Sequence, residues 1–330
     1  MADSKLTALT ETSVPVLTDL TYSIADPGGS PLDRKLTFAR MGGLIYHGPP
    51  MGRLTTEDDV PISTSDQTAV GTLYWTPCTS SGIALTNGYV RTYDGTRIKV
   101  QEASQVSLAM SITSGKNYDV FLKNSDLSLV LSAAWTTDTA RADAITSVKD
   151  LVVATADNTY LWLGTIRASG TNTIEDSMAK RFVWNAYNQV PRVHKNTIES
   201  TNTWDYTLLT WRQARATATN QFEYVTGDNG TYLEATVNGA ANNTNATAVN
   251  VATGVGIDST SVNSGFGFGA CCPGAALFSG FPVSTYKGYP GLGYHFITWL
   301  EISAATGTTT WVGDAGLTIF QTGIHGTSLG

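Results

Sequence analysis

The feature that most constrains this fold is a series of short β-type segments separated by turn signals. The clearest case joins residues 89–93 to residues 96–100 through Asp94-Gly95, a dipeptide favoured in type I′ hairpin turns. Two further hairpins are predicted, residues 118–122 with 127–131 and residues 221–225 with 231–237. Hairpins this frequent indicate antiparallel sheets, so the chain is predicted to be mainly β.

The composition agrees with this prediction. The chain holds 49 threonines, and threonine, like valine, isoleucine and the aromatic residues, suits a pleated, half-buried surface. Residues 293–302 alternate two sets of side chains and predict one long sandwich strand. One short helix is predicted within residues 136–149, where Ala140, Ala144, Ile145 and Val148 can share a face. A single short helix does not make an α/β fold.

Charge and targeting signals exclude several classes of protein. Only 14% of the 330 residues are charged, and 20 basic against 27 acidic residues leave a net charge of −7, which disfavours nucleic-acid binding. The first residues lack the pattern of a signal peptide, and no window approaches 18 uninterrupted apolar residues. We therefore expect synthesis in the cytoplasm without membrane insertion. Cys78, Cys271 and Cys272 are expected to be reduced thiols.

The sequence holds no motif that predicts catalysis, a cofactor or a metal. His47, His194, His295 and His325 are scattered without the short spacings of metal ligands, so structural or surface roles are predicted. The motif GFGFG at residues 265–269 lacks the Lys-Ser/Thr of a phosphate loop and predicts a flexible loop or strand bend. A glycosidase needs two suitably spaced carboxylates, and the acidic residues that could include such a pair are Asp205, Glu223, Asp228, Glu234 and Glu301. We expect most of these five residues to lie on solvated strand faces, and we expect no enzymatic activity.

Aromatic residues concentrate between residues 184 and 232. Aromatic faces on β-sandwiches can stack on sugar rings or seal a subunit interface, and core packing is the alternative for each. For glycan contact we single out Trp204, Tyr206 and Trp211, since Trp204 and Tyr206 would share one strand face with Leu208. The same face would serve equally well as core.

Three regions are predicted along the chain. Residues 1–70 form an extended arm and linker, residues 71–200 a first β unit with the short helix, and residues 201–330 a second β unit. Both units are expected to be antiparallel sandwiches or barrels. The arm has no strand partner of its own, so its apolar residues must be buried on another subunit. These residues are Leu6, Leu9, Val14, Val16, Leu17, Leu20, Tyr22 and Ile24.

Several segments resemble virion proteins of tailed bacteriophages. The opening residues 6–20 (LTALTETSVPVLTDL), 22–26 (YSIAD) and 31–37 (PLDRKLT) are similar to the stretch that precedes a fibre, spike or decoration body. A middle region with residues 118–122 (YDVFL), 131–135 (LSAAW) and 180–192 (KRFVWNAYNQVPR) resembles a segment that recurs in phage structural proteins. The ending, with residues 308–316 (TTTWVGDAG) and 323–326 (GIHG), is similar to the closing strands of such proteins.

The resemblance implies a non-enzymatic homotrimer in the virion, with a jelly-roll-like C-terminal unit and with the arm attached to other proteins of the head or tail. It leaves two placements open, a fibre and a capsid decoration protein. The alternative function is that of a tail fibre or tailspike that adsorbs to a host surface glycan, with or without hydrolysis of that glycan. No catalytic, cofactor or metal residue is carried over from the family.

Overall fold

The computed structural model describes residues 20–24, 33–37, 48–272, 280–316 and 321–330. Strands make up nearly all regular structure in these ranges, and the helical structure found there is one 3₁₀ turn at Ala214–Ala216. The prediction of a mainly-β fold is therefore confirmed. Almost every strand pair is antiparallel, as the hairpins in the sequence indicated.

The strands are numbered in chain order. The first ten are β1 (Leu20–Ile24), β2 (Asp33–Thr37), β3 (Gly52–Thr55), β4 (Gln67–Val70), β5 (Thr72–Pro77), β6 (Gly88–Tyr93), β7 (Ile98–Ala103), β8 (Val106–Ala109), β9 (Asn117–Lys123) and β10 (Leu129–Leu131). The next ten are β11 (Ile145–Val148), β12 (Leu151–Ala154), β13 (Tyr160–Gly170), β14 (Thr173–Asp176), β15 (Lys180–Arg181), β16 (Val183–Asn185), β17 (Pro191–Ile198), β18 (Thr203–Tyr206), β19 (Arg212–Gln213) and β20 (Gln221–Thr226). The last nine are β21 (Leu233–Asn238), β22 (Ala241–Asn243), β23 (Val249–Ile257), β24 (Phe266–Phe268), β25 (Ala270–Cys272), β26 (Val283–Gly288), β27 (Gly293–Ile302), β28 (Thr309–Val312) and β29 (Gly323–Leu329).

The first β unit is built around the long strand β13. β13 pairs with β9, β12, β14 and β16, and the small sheets β3-β5-β8 and β6-β7 cover one side of it. The core between these layers is aliphatic around one tryptophan, with Leu73, Trp75, Leu122 and Leu161 almost fully buried. Burial of each such side chain stabilises the fold by about 1.5–3 kcal/mol. This apolar core therefore holds the layers of the first unit together.

The second β unit is a sandwich of two sheets. One layer runs β20-β27-β23-β25, and the other runs β17-β29-β21-β26-β24. The core between them is apolar and holds Phe222, Leu233, Val255 and Trp299 at almost no exposure. A third sheet, β18-β28-β22, packs at the side around the buried Trp311.

The two units are continuous with each other. β15 pairs in parallel with β20, which joins the large sheets of both units. β17, expected in the first unit, pairs with β29 and lies in the second sandwich. Trp162 and Trp184 pack at 5.4 Å between ring centroids, and a Cβ added to Gly227 would lie 2.3 Å from the Trp184 ring. Residue 227 therefore has to be glycine for the units to meet this closely.

The predicted arm contains strands that the sequence did not indicate. β1 and β2 form a separate two-stranded antiparallel sheet, so the expectation that the arm lacks a strand partner is wrong. β3 pairs with β5, and β4 pairs with β14, so the packed body begins before residue 71.

Two of the three predicted hairpins are confirmed. β6 pairs with β7 and β10 with β9, although Tyr93 pairs with Ile98 and leaves a loop of four residues rather than two. The third hairpin is wrong because β20 and β21 belong to opposite layers of the sandwich. Residues 227–230 form the crossing between the layers, where the Asp228 carboxylate accepts hydrogen bonds from the Gly230 N–H and the Thr231 hydroxyl.

The predicted helix at residues 136–149 is wrong, whereas the long strand at residues 293–302 is confirmed as β27. Residues 145–148 pair with residues 151–154 across Lys149 and Asp150, both of which have a positive φ. Arg141, expected on the helix, instead donates to the buried carboxylate of Asp119 at 2.9 Å. Tertiary contacts therefore override a weak helical pattern.

Candidate functional site

The structure describes the backbone of three of the eight predicted attachment residues. Leu6, Leu9, Val14, Val16 and Leu17 lie outside the described residues. The remaining three, Leu20, Tyr22 and Ile24, occupy alternate positions of β1.

Tyr206, a predicted glycan contact, is buried rather than presented to solvent. It is 7% exposed, its hydroxyl donates to the carbonyl of Thr210 at 2.7 Å, and the Arg212 guanidinium lies 3.8 Å from its ring centroid. A ring covered in this way offers no face to a sugar, so that assignment is wrong for Tyr206. Leu208, expected on the same face, is exposed and lies beyond the end of β18.

The two tryptophans of the predicted glycan site are half-buried. Trp204 donates its indole N–H to Glu301 at 2.8 Å and packs edge-on against Trp299. Trp211 lies against Gly254 of β23, where a Cβ would come within 3.1 Å of its ring. Both rings are partly used in packing, and their part in glycan contact stays a prediction.

Glu301 is the centre of this aromatic region. Its carboxylate accepts hydrogen bonds from Trp204, from Arg212 at 2.7 Å and from the Arg215 N–H at 3.2 Å. Burial raises the pKa of Glu301, which the tryptophan and arginine partners oppose. Both oxygens are engaged, so the group holds β27, β18 and β19 together.

The other four acidic residues have separate partners. Glu223 accepts from the Tyr294 hydroxyl, Asp205 from the Thr310 hydroxyl, Asp228 from Thr231, and Glu234 pairs with Lys287. Each carboxylate is thus held by a different side chain in a different part of the sheets. The described residues also include no group of three or more His, Cys, Asp or Glu arranged to hold a metal ion.

Sequence reasoning did not single out the outward side of the sheet β17-β29-β21-β26-β24. We call this side the outer face and define it by its exposed large apolar residues, which are Val193, Ile198, Tyr232, Phe266, Phe268, Val283, Tyr289 and Leu329. Eight such residues on one sheet exceed the single exposed apolar side chains that any soluble protein carries.

The register of the strands explains why these residues lie on the same side of the sheet. Residues paired across antiparallel strands share a face, so partners form rows across the sheet. One row consists of Phe268, Val283, Asn238, Gly323 and Ile198. The adjacent row consists of Phe266, Thr285, Thr236 and His325. The intervening residues Leu233, Ala235, Val237 and Ile324 point inward and are buried in the core.

The outer face also holds a cavity of about 300 Å³. Ile198, Asn238, Gly323 and His325 are among the residues that line it, and they come from β17, β21 and β29. The exposed lining of this cavity is mostly polar, so the cavity interrupts the apolar surface of the outer face.

Two signals in the sequence could have predicted this face. The first is the alternation along residues 232–238, in which one set of positions is apolar and buried. The second is residues 259–286, which contain no Asp, Glu, Lys, Arg or His. Charge is normally what protects a sheet edge from other chains, so its absence over 28 residues is informative.

Comparisons with known proteins place the chain in no family. No family model matches it, and no curated protein matches it. Among solved structures, a crystal structure of a Bacillus thuringiensis Cry1Da tryptic core variant aligns at a TM-score of 0.18 and 10% identity. That alignment covers 90% of this chain and 58% of the toxin chain, and its TM-score is too low to indicate a shared fold. Within the described part of the chain, no helix has the length and apolarity needed to cross a membrane.

Proposed function

We propose that this protein is a non-enzymatic structural component of a bacteriophage virion, a fibre or capsid decoration protein that assembles as a homotrimer. The single observation that carries the proposal is the outer face. Its two phenylalanines, Phe266 and Phe268, are 88% and 86% exposed. Apolar rings exposed to this extent on a sheet of a packed sandwich mark a surface that another chain covers.

The low charge of the chain supports the same proposal. Interface cores are depleted in charged residues, and 14% charged residues is well below the roughly 25% of an ordinary domain. The body holds its sheets together through buried apolar cores, and Cys78 is a free cysteine that lies buried. Such a fold suits a particle component that has to persist outside the cell without disulfides.

The proposed attachment element is the N-terminal arm, whose partners would be other virion proteins of the head or tail. In its support, β1 and β2 form their own small sheet, separate from the sheets of the body. A two-stranded hairpin is marginal in water and gains stability when another surface covers it.

Immunoelectron microscopy of phage particles tests the virion role. Antibodies against residues 48–330 should label purified particles at the head or at the tail, and the site of the label separates a decoration protein from a fibre. Particles that lack both the label and the chain, as judged by mass spectrometry, would overturn the proposal.

Adsorption to a host surface glycan is a second candidate function, and one observation favours it. Tyr232 and Tyr289 form an exposed edge-to-face pair at 5.6 Å between centroids, and they are 36% and 64% exposed. Exposed rings of this kind can stack on sugars. Calorimetric titration with host surface polysaccharide should then detect binding that Tyr289→Ala weakens, and shortened polysaccharide chains would indicate hydrolysis.

A further inference from the structure

We infer that copies of this chain meet through the outer face, with Phe266 and Phe268 next to the symmetry axis of the assembly. The inference rests on the proposed homo-oligomer and names the surface that forms it. The partner is a second copy of the chain.

The two edges of this sheet differ. At one end, the chain itself closes the edge of β17, because Arg181 donates to the Val193 carbonyl at 2.9 Å and the Lys195 N–H donates to the Met178 carbonyl at 2.6 Å. At the other end, β24 follows β26 in the strand order and has no further strand neighbour among the described residues. The phenylalanines therefore stand on the last described strand at this end of the sheet, and the edge of a sheet is where another backbone can approach.

The apolar area of the outer face is large enough for a subunit contact. An aromatic residue buries about 150–250 Å², so Phe266 and Phe268 together offer roughly 300–500 Å². The largest apolar patch on a typical monomer is about 300–600 Å² in total. The other six apolar residues of the outer face bring it toward the roughly 800 Å² that each partner contributes to a standard interface.

The charge pattern selects a second copy as the partner. At a symmetry axis the same residues of different copies lie side by side, so any charge there would meet a like charge. Residues 259–286, which include β24, are free of charged side chains and satisfy this condition. The one ion pair on the face, Glu234 with Lys287 at 2.7 Å, is neutral within a single copy. A strongly acidic or basic partner would find no opposite charge at this edge.

The test compares oligomeric masses of the full chain by light scattering at micromolar concentration. The wild-type protein should scatter as about three times its 35.1 kDa chain, and the double variant Phe266→Asp/Phe268→Asp should scatter as a single chain. The matched control is Leu208→Asp/Leu209→Asp, which replaces two exposed leucines outside the outer face and should keep the wild-type mass. A face variant with the wild-type mass would overturn the inference and leave the proposed oligomer standing. A wild-type protein of single-chain mass would instead contradict the proposed homotrimer itself.

Two further measurements distinguish loss of the contact between copies from failure of the variant to fold. Phe266→Thr/Phe268→Thr keeps strand propensity while it removes the rings, and it should also dissociate the assembly. A photoreactive benzoylphenylalanine at position 266 should crosslink copies into a band of twice the chain mass, whereas the same group at position 208 should not. Crosslinking at 208 but not at 266 would place the contact elsewhere and refute the inference.

Discussion

At the scale of single residues, the first unit depends on one buried carboxylate. Asp119 is fully buried and accepts hydrogen bonds from the indole N–H groups of Trp135 and Trp162, each at 3.0 Å, and from the Thr165 hydroxyl. Arg141 balances its charge at 2.9 Å. Four donors around one anion tie β9, β13 and the 135–141 segment together.

Asp119→Ala should therefore lower the free energy of unfolding by about 3–5 kcal/mol, because it leaves a cation and three donors without their acceptor. Urea unfolding followed by tryptophan fluorescence measures this loss. The control is Asp126→Ala, which removes a half-exposed carboxylate near Lys123 and should cost a small fraction of that amount. Equal losses in the two variants would contradict the role given to Asp119.

His194 makes the stability of the second unit depend on pH. It is fully buried against Phe222 and contacts the Ser328 hydroxyl at 2.8 Å, while its Nδ1 has no hydrogen-bond partner. Burial, together with the positive charges of Arg181 and Arg192, lowers its pKa from 6.5 to about 3. The folded protein thus holds a neutral imidazole where the unfolded chain would take up a proton.

Because the folded pKa is the lower one, the stabilisation is complete above pH 6.5 and is lost as the pH falls toward 3. Between pH 7 and pH 5 the wild-type protein should lose about 2 kcal/mol more of its unfolding free energy than His194→Gln. Urea unfolding at both pH values provides the comparison. If both proteins lost the same unfolding free energy between pH 7 and pH 5, His194 would be protonated in the folded protein at pH 5, contrary to this prediction.

At the scale of elements, pairs of strands that are close together in the sequence were predicted correctly, whereas pairs that are far apart were not. β6 with β7 and β9 with β10 were predictable because their turns and alternation lie within about fifteen residues. β20 and β21 show the same local signals, yet they belong to opposite layers, because β27 supplies the partner of β20 from seventy residues away. Alternation identifies a strand and its buried side, but it does not identify the strand's neighbour.

The outer face illustrates the same limit for the candidate site. The alternation of residues 231–237 predicts a strand with one buried side, and the structure confirms β21. Only the register with β26, β29 and β24 brings Tyr232, Val283 and Phe268 to one surface. The prediction for Tyr206 failed for a related reason, since Arg212 reaches its ring from the following strand, β19.

At the scale of the whole molecule, the body and the arm separate near residue 48. Leu54 of β3 is 2% exposed within the first core, and the Arg53 guanidinium donates to the carbonyls of Pro61 at 3.3 Å and Gly330 at 2.8 Å. The contact with Gly330 joins β3 to the segment that follows β29. Residues 52–70, expected to be a linker, therefore belong to the body.

Two truncations distinguish the arm from the body. Deletion of residues 1–45 removes β1 and β2 and spares every strand of the packed sheets, so the protein should melt cooperatively at the wild-type temperature but no longer join virions. Deletion of residues 1–70 also removes β3 and β4, which opens the first core at Leu54 and leaves β5 paired with β8 alone, so that protein should not melt cooperatively. Differential scanning calorimetry and quantitative mass spectrometry of purified particles measure the two outcomes. If the protein that lacks residues 1–45 joined virions at wild-type copy number, attachment through the arm would be contradicted, because the residues proposed to bind the virion would be absent. Attachment would then be assigned to a face of the body.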